Sequence, residues 1–148
     1  METDGGPRVL EVGPRDAWEM LSEDKRAVLV DVRTEAERKF VGGPDLSDLE
    51  KDAVHVEWQS FPGMTPNPAF VGELMDALGG LPPRLLFICR SGARSMQAAH
   101  AVAGAPPARG VVAECINVAE GFEGDLDARS HRGGLNGWKA RGLAWRQS

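Results

Sequence analysis

Short apolar runs alternate along this chain with segments whose apolar residues recur every three or four positions. Residues 8–12 (RVLEV) read as a strand closed by Gly13. Pro14 suits the first turn of a helix, and PRDAWEMLSED spaces Trp18, Met20 and Leu21 as one helix would. The β-branched run AVLVDV (27–32) has the composition of a strand covered on both faces. TEAERKF follows, and Thr34 with Glu37 three residues on makes a capping-box signature. Beyond a turn-rich stretch, AVHVEW (53–58) predicts a third strand.

SFPGMTPNP (60–68) has three prolines in nine residues and reads as loop. Pro68 then opens a predicted helix, AFVGELMDAL, stopped by Gly79 and Gly80. LLFI (85–88) is the fourth predicted strand, RSMQAAHAVAG the next helix and GVVAECINV (110–118) the fifth strand. After it the chain turns Gly-rich and charged, EGFEGDLDARSHRGGLNG, before a short end in which Trp138 and Trp145 are expected to pin the segment to the core. Strands alternating with helices predict an α/β fold with a five-stranded, mainly parallel sheet and helices on both faces. One domain is expected over 1–148, with its core at about 8–145. Ligands of such sheets sit beyond the carboxyl ends of the strands. Cys89 stands there.

Charge and composition narrow the function classes. A net charge of −5 forecasts no nucleic-acid face. The N-terminus lacks a basic region followed by an apolar one, and no apolar run is long enough to span a bilayer, so no secretory signal or membrane association is expected. Two cysteines do not make a disulfide framework, which predicts reduced thiols and a cytoplasmic location. His55, His100 and His131 lie on different elements without ligand spacing, so neither a metal nor another cofactor is forecast.

The chemistry concentrates in Cys89-Arg90-Ser91-Gly92-Ala93-Arg94-Ser95. The small residues Ser91, Gly92 and Ala93 let the chain curl tightly, and a tight curl points successive N–H groups inward as a nest for an anion. The following helix, expected from Arg94 or Ser95, adds the positive end of its macrodipole, and Arg90 and Arg94 add full charges. Such surroundings stabilise a thiolate and make Cys89 a candidate nucleophile. A cysteine buried for packing alone accounts for LLFI but not for the RSGAR after it. Cysteine phosphatases place their arginine six positions after the cysteine. Here Arg94 is five after Cys89, so the loop is sized for something smaller than a phosphoryl group, such as one sulfur atom on the cysteine.

With its surrounding strand pattern, the stretch 84–102 resembles the single-domain rhodanese family of sulfurtransferases, which shares its fold with a phosphatase family of longer loop. Asp31-Val32-Arg33 followed by Glu35-Ala36-Glu37 resembles that family's DVR-x-x-x-E segment, and Asn117-Val118-Ala119-Glu120-Gly121 the segment after its last strand. The resemblance implies that Cys89 takes the outer sulfur of a donor such as thiosulfate, releasing sulfite. The persulfide would be held by the N–H groups of Arg90 to Ser95, and an acceptor, a thiol (a protein thiol included) or cyanide, would remove the sulfur. Arg90 and Arg94 would draw in the anionic donor, with Arg94 also bracing the loop. The chain departs from the family where GGPDLSDLEKDAVHV replaces a Gly-His-Ile-Pro-Gly-Ala stretch, and where Gly121-Phe122 and a long insertion replace Gly-Gly. A cysteine phosphatase or arsenate reductase on the related fold, and a sulfur-relay or regulatory binding module, are the alternatives.

Further residues have two readings each. Asp31 and Arg33 either line the pocket or form an internal ion pair with Glu37. Trp58 and Phe61 form an apolar rim or pack beneath the Pro-rich loop. His131 and Arg132, within 129–137, belong to a lid over the donor or to a solvated loop. Cys115 is a core residue or a resolving thiol.

Overall fold

The computed structural model describes residues 9–60, 63–79, 82–105 and 113–147, and in it the alternation of the sequence becomes layers. The elements in order are β1 (Val9–Val12), α1 (Pro14–Glu23), β2 (Ala27–Asp31), α2 (Glu35–Val41), β3 (Gly43–Pro44), a 3-10 turn (Ser47–Leu49) and β4 (Val54–His55). There follow β5 (Gln59–Ser60), β6 (Thr65–Pro66), α3 (Phe70–Leu78), β7 (Arg84–Ile88), α4 (Ala93–Ala103), β8 (Glu114–Val118) and β9 (Trp145–Arg146). Five strands form one parallel sheet in the order β1-β8-β7-β2-β4. The mainly parallel sheet expected from the sequence is all-parallel. Two small antiparallel pairs, β3 with β9 and β5 with β6, lie outside it.

β7 is the central strand, and Leu85, Leu86, Phe87 and Ile88 are all fully buried, which is why LLFI carries no polar residue. Burial of each such side chain contributes about 1.5–3 kcal/mol relative to leaving it exposed. Alternate residues point to opposite faces. Val30, Val32, Leu85, Phe87, Cys89 and Cys115 share one face with Phe70 and Leu74 of α3 and Ala98, Ala99 and Val102 of α4. Ala27, Leu29, Leu86, Ile88, Ile116 and Val118 meet Ala17 and Leu21 of α1, Phe122 and Trp138 on the other. Cys89 thus continues the α3/α4 face of its strand.

Local signals act as the sequence foretells at several ends. Thr34 and Glu37 form a full capping box on α2, and Gly79 ends α3 in the left-handed region at φ 66°. α3 begins at Phe70 rather than at Pro68, because Asn67 supplies the turn: its Oδ1 accepts from the Ala69 N–H and its carbonyl from the Phe70 N–H. The third strand is shorter than AVHVEW, yet Val56 and Trp58 still donate to the carbonyls of Asp31 and Val32 beyond β4. Phe61, Gly80 and residues 110–112 of the fifth predicted strand lie outside the described residues.

Residues 120–144 carry no helix or strand, so their backbone groups find partners by turns and side-chain caps. Asp127 caps the N–H groups of Arg129 and His131, while Glu120 accepts from Gly137 N–H and from Arg141. Trp138 is fully buried with its ring edge on Trp18 at 5.9 Å, so it anchors the segment as expected. Trp145 does not bury itself. It is 39% exposed and ties the end of the chain down through the β9 pairing with Gly43–Pro44. Among the described residues no helix is long and apolar enough to cross a membrane.

Candidate active site

The segment from Cys89 to Ser95 leaves the central strand and enters α4 at Ala93, ahead of the expected start at Arg94 or Ser95, so only three residues separate Cys89 from the helix. Gly92 takes φ 111°, a conformation that side-chain-bearing residues rarely adopt, and its N–H donates to Cys89 Sγ at 3.1 Å. The carbonyls of Cys89 and Arg90 are held from behind. The Phe122 N–H donates to the Cys89 carbonyl at 2.8 Å, and the N–H groups of Glu123 and Gly124 donate to that of Arg90 at 3.0 and 3.1 Å.

Gly121 makes that grip possible. At φ 67°, a Cβ there would lie 2.5 Å from the Arg90 carbonyl and 2.6 Å from that of Cys89. Only glycine fits. A segment far along the chain therefore clamps the loop.

Ser95 is fully buried, and its Oγ lies 3.2 Å from Cys89 Sγ and 3.2 Å from the Gly92 carbonyl, within hydrogen-bond reach of Asn117 Oδ1 as well. One hydroxyl proton faces three acceptors. Asn117 is oriented by its own donors, with Nδ2 at 2.8 Å from Glu11 Oε2 and 3.2 Å from the Gly92 carbonyl. Side chains from β1 and β8 thereby fix the group beside the sulfur.

Arg94 reaches back to α2. Its Nη1 and Nη2 donate to Glu37 Oε1 and Oε2 at 2.7 and 2.9 Å, while Oε1 still accepts from the Thr34 N–H and hydroxyl. Burial works against the Glu37 charge. The Arg94 hydrogen bonds and charge, with those from Thr34, more than offset it and hold the carboxyl pKa down at about 2. The same hydrogen bonds raise the Arg94 pKa above its ordinary value. Arg90 is exposed and pairs with no carboxylate among the described residues. Glu37, Gln59, Met64, Cys89, Arg90, Ser91, Ala93 and Arg94 together line a cavity of about 450 Å³.

Of the residues singled out in the sequence, Cys89, Arg90, Ser91, Ala93 and Arg94 line this cavity, and Gly92 and Ser95 contact the sulfur. The internal ion pair with Glu37 expected for the Asp31–Arg33 segment is not formed. Arg33 pairs with Asp31 instead, Nη2 to Oδ2 at 2.7 Å and Nε to Oδ1 at 3.0 Å, and Glu37 turns to Arg94. Strand parity is the reason: positions 27, 29 and 31 face α1, and Arg33 stacks on Phe122 of that face at 4.5 Å. Asp31 lines a different cavity of about 380 Å³ with Arg38, His55 and Arg146.

Trp58 lies on the Cys89 face but packs edge-on against Phe70 at 5.2 Å and donates to Gln97 Oε1, outside the cavity lining. His131 is exposed, and Arg132 donates to the Gly124 carbonyl at 2.7 Å; neither lines the cavity. Cys115 pairs in register with Leu85, four residues before Cys89, which separates the two cysteines by about 13 Å of strand. That exceeds the Cα separation a disulfide tolerates, so Cys115 is no resolving thiol. Burial pushes its thiol up to about 11.

Sequence reasoning did not single out Glu37, Gln59, Met64, Asn117 or Gly121 as site residues. Asn117 carried a signal, since two residues from Cys115 on one strand puts it on the face of Cys89. Glu37 was visible as a cap and as an ion-pair partner for the Asp31–Arg33 segment, not as the partner of Arg94. Gln59 and Met64 had no signal, because their place depends on the fold of the Pro-rich segment.

Residues 13–141 match the family model described as "Rhodanese-like domain". The chain is similar to two uncharacterized proteins, RC0915 of Rickettsia conorii (32% identical over 129 residues, 87% of this chain and 90% of that protein) and RP600 of Rickettsia prowazekii (32% over 130 residues, with the same shares). Among solved structures, that of Rv0390 from M. tuberculosis superposes with a TM-score of 0.82 at 48% identity, covering 93% of this chain and 97% of that one. The polysulfide-sulfur transferase homodimer of Wolinella succinogenes matches with a TM-score of 0.53 at 23% identity over 95% of this chain and 80% of that one, a likeness of fold.

Proposed function

Since the chain belongs to the rhodanese-like domain family, we propose that it is a sulfurtransferase in which Cys89 carries the sulfur as a persulfide. The observation that supports this most directly is the environment of Cys89 Sγ: a buried sulfur, hydrogen-bonded by Gly92 N–H and in reach of Ser95 Oγ, at the N-terminus of an 11-residue helix. Backbone donors and the helix end stabilise negative charge on the sulfur without spending a side chain on it. The loop's short span, with Arg94 five positions after Cys89, suits one added sulfur atom better than a phosphoryl group.

In the first half-reaction the Cys89 thiolate attacks the outer sulfur of the donor. The donor's S–S bond breaks, and its electron pair leaves with the residue of the donor (sulfite, when the donor is thiosulfate). In the second, an acceptor thiolate or cyanide attacks the outer sulfur of the persulfide, and the electron pair of the breaking bond returns to Cys89 as thiolate. Ser95, whose single proton is shared between Asn117 and the sulfur, follows that charge. It donates to Sγ when Sγ is negative and to Asn117 when the sulfur is bonded. A thiolate that must stay reduced between cycles suits a cytoplasmic location.

Intact-mass measurement after treatment with thiosulfate or benzenethiosulfonate tests the reading. One added sulfur is expected on the native chain and none on Cys89→Ser. No adduct with either donor, or an adduct that survives in Cys89→Ser, would sink it.

A further inference from the structure

The charge of the cavity, counted side chain by side chain, is lower than its arginines suggest. Arg94 is bound through both of its terminal nitrogens by Glu37, and both partners line the space in which a donor would sit. Their charges cancel at every working pH, because hydrogen bonding holds the Glu37 carboxyl ionised and the Arg94 guanidinium protonated. Among the described lining residues Arg90 is left as the uncompensated cation, and it is exposed, where solvent screens it. A Cys89 thiolate matches it charge for charge, leaving only the partial positive charge of the α4 N-terminus, roughly half a unit. A compact dianion gains little here and meets a carboxylate besides.

The walls point the same way. Met64 and Ala93 supply apolar surface, and Gln59 a neutral polar group. A thioether adapts its shape to irregular apolar ligands. The volume of about 450 Å³ lies in the range that takes a small organic molecule, well beyond the five heavy atoms of thiosulfate.

On the premise that Cys89 transfers sulfur, we infer that this cavity selects an organic sulfane-sulfur donor of at most one negative charge, a persulfide or thiosulfonate, over the thiosulfate dianion, and that Glu37 is the specificity-determining residue. With a thiosulfonate, the Cys89 thiolate bonds to the outer sulfur, the S–S bond breaks, and the organic sulfinate departs with the electron pair. With a persulfide, a thiolate departs, and the outer sulfur keeps its proton. Either organic group lies against Met64 and Ala93. Removing the Glu37 charge exposes Arg94 to the donor and narrows the discrimination.

Benzenethiosulfonate and thiosulfate offer the same sulfane sulfur and differ by a phenyl ring in place of one charged oxygen. Steady-state kcat/KM for both, with cyanide as acceptor, should favour benzenethiosulfonate at least tenfold in the native chain. In Glu37→Gln, whose amide oxygen can still accept from Thr34 in the capping box, the ratio should shift about tenfold toward thiosulfate, mainly through KM. Because the ratio is taken on one sample, partial unfolding of the variant cancels. Native preference for thiosulfate, or a ratio that moves less than about twofold in Glu37→Gln, would overturn the assignment while leaving sulfur transfer standing. Failure of both donors to load Cys89 would overturn both.

Discussion

Two arginine–carboxylate pairs flank the carboxyl end of this sheet, and they do different things. Asp31–Arg33 lies wholly buried on the α1 face, two residues apart in sequence, with its guanidinium on Phe122 and Nη2 also donating to the Gly42 carbonyl. Glu37–Arg94 lies on the α4 side, 57 residues apart, partly exposed and in the wall of the cavity. In the first pair the cation is walled in. Its Nη1 finds no partner among the described residues, so ring contact substitutes for solvent on that side. The second pair holds the loop to α2 and sets the charge a ligand meets. The same pairing chemistry serves architecture where water is excluded and selection where a cavity opens.

Breaking the buried pair should have the largest effect on folding. Arg33→Met leaves the Asp31 carboxylate buried without its cation, and a loss of about 3–5 kcal/mol is expected in urea unfolding. The protein that remains folded should still take sulfur on Cys89. A loss below about 1 kcal/mol would show that the pair is not the architectural one.

A smaller loss follows from the clamp behind the loop. Gly121→Ala forces a Cβ into the carbonyls of Cys89 and Arg90 at a positive φ, for an expected cost of about 1–3 kcal/mol. Unlike Arg33→Met, it should also slow sulfur loading of the folded fraction, because those carbonyls hold the turn that brings the Gly92 N–H to the sulfur. Unchanged loading by intact mass would contradict that link.

Acid sharpens the comparison with the smallest effect. The Glu37 carboxyl titrates at about 2 when folded against 4.5 ordinarily, so a depressed pKa means stability present above about pH 4.5 and lost as pH falls toward 2. The stability difference between the native chain and Glu37→Gln should therefore narrow over that window. A gap constant from pH 5 to 2 would mean that the carboxylate charge adds nothing.

Much of the architecture was legible because it is local. LLFI and AVLVDV read as covered strands and are buried as such, ECINV lies in the strand expected there, and Thr34 with Glu37 capped α2 as their spacing required. Cys89 at the exit of the most apolar run, with small residues and a helix after it, located the loop of the candidate site. Parity along AVLVDVR could also have been read further, since it sends Asp31 and Arg33 away from the side of Val30 and Val32.

By itself the sequence determined the strand–helix alternation, the candidate nucleophile and the short span of its loop, for these follow from periodicity and from residues adjacent in the chain. Only the tertiary structure decided that Glu37 answers Arg94, that Asn117 and Glu11 orient Ser95, and that Gly121 closes on Arg90. Each of those contacts joins elements distant in sequence. Their partners are chosen by which strands become neighbours in the sheet, and no local propensity encodes that choice.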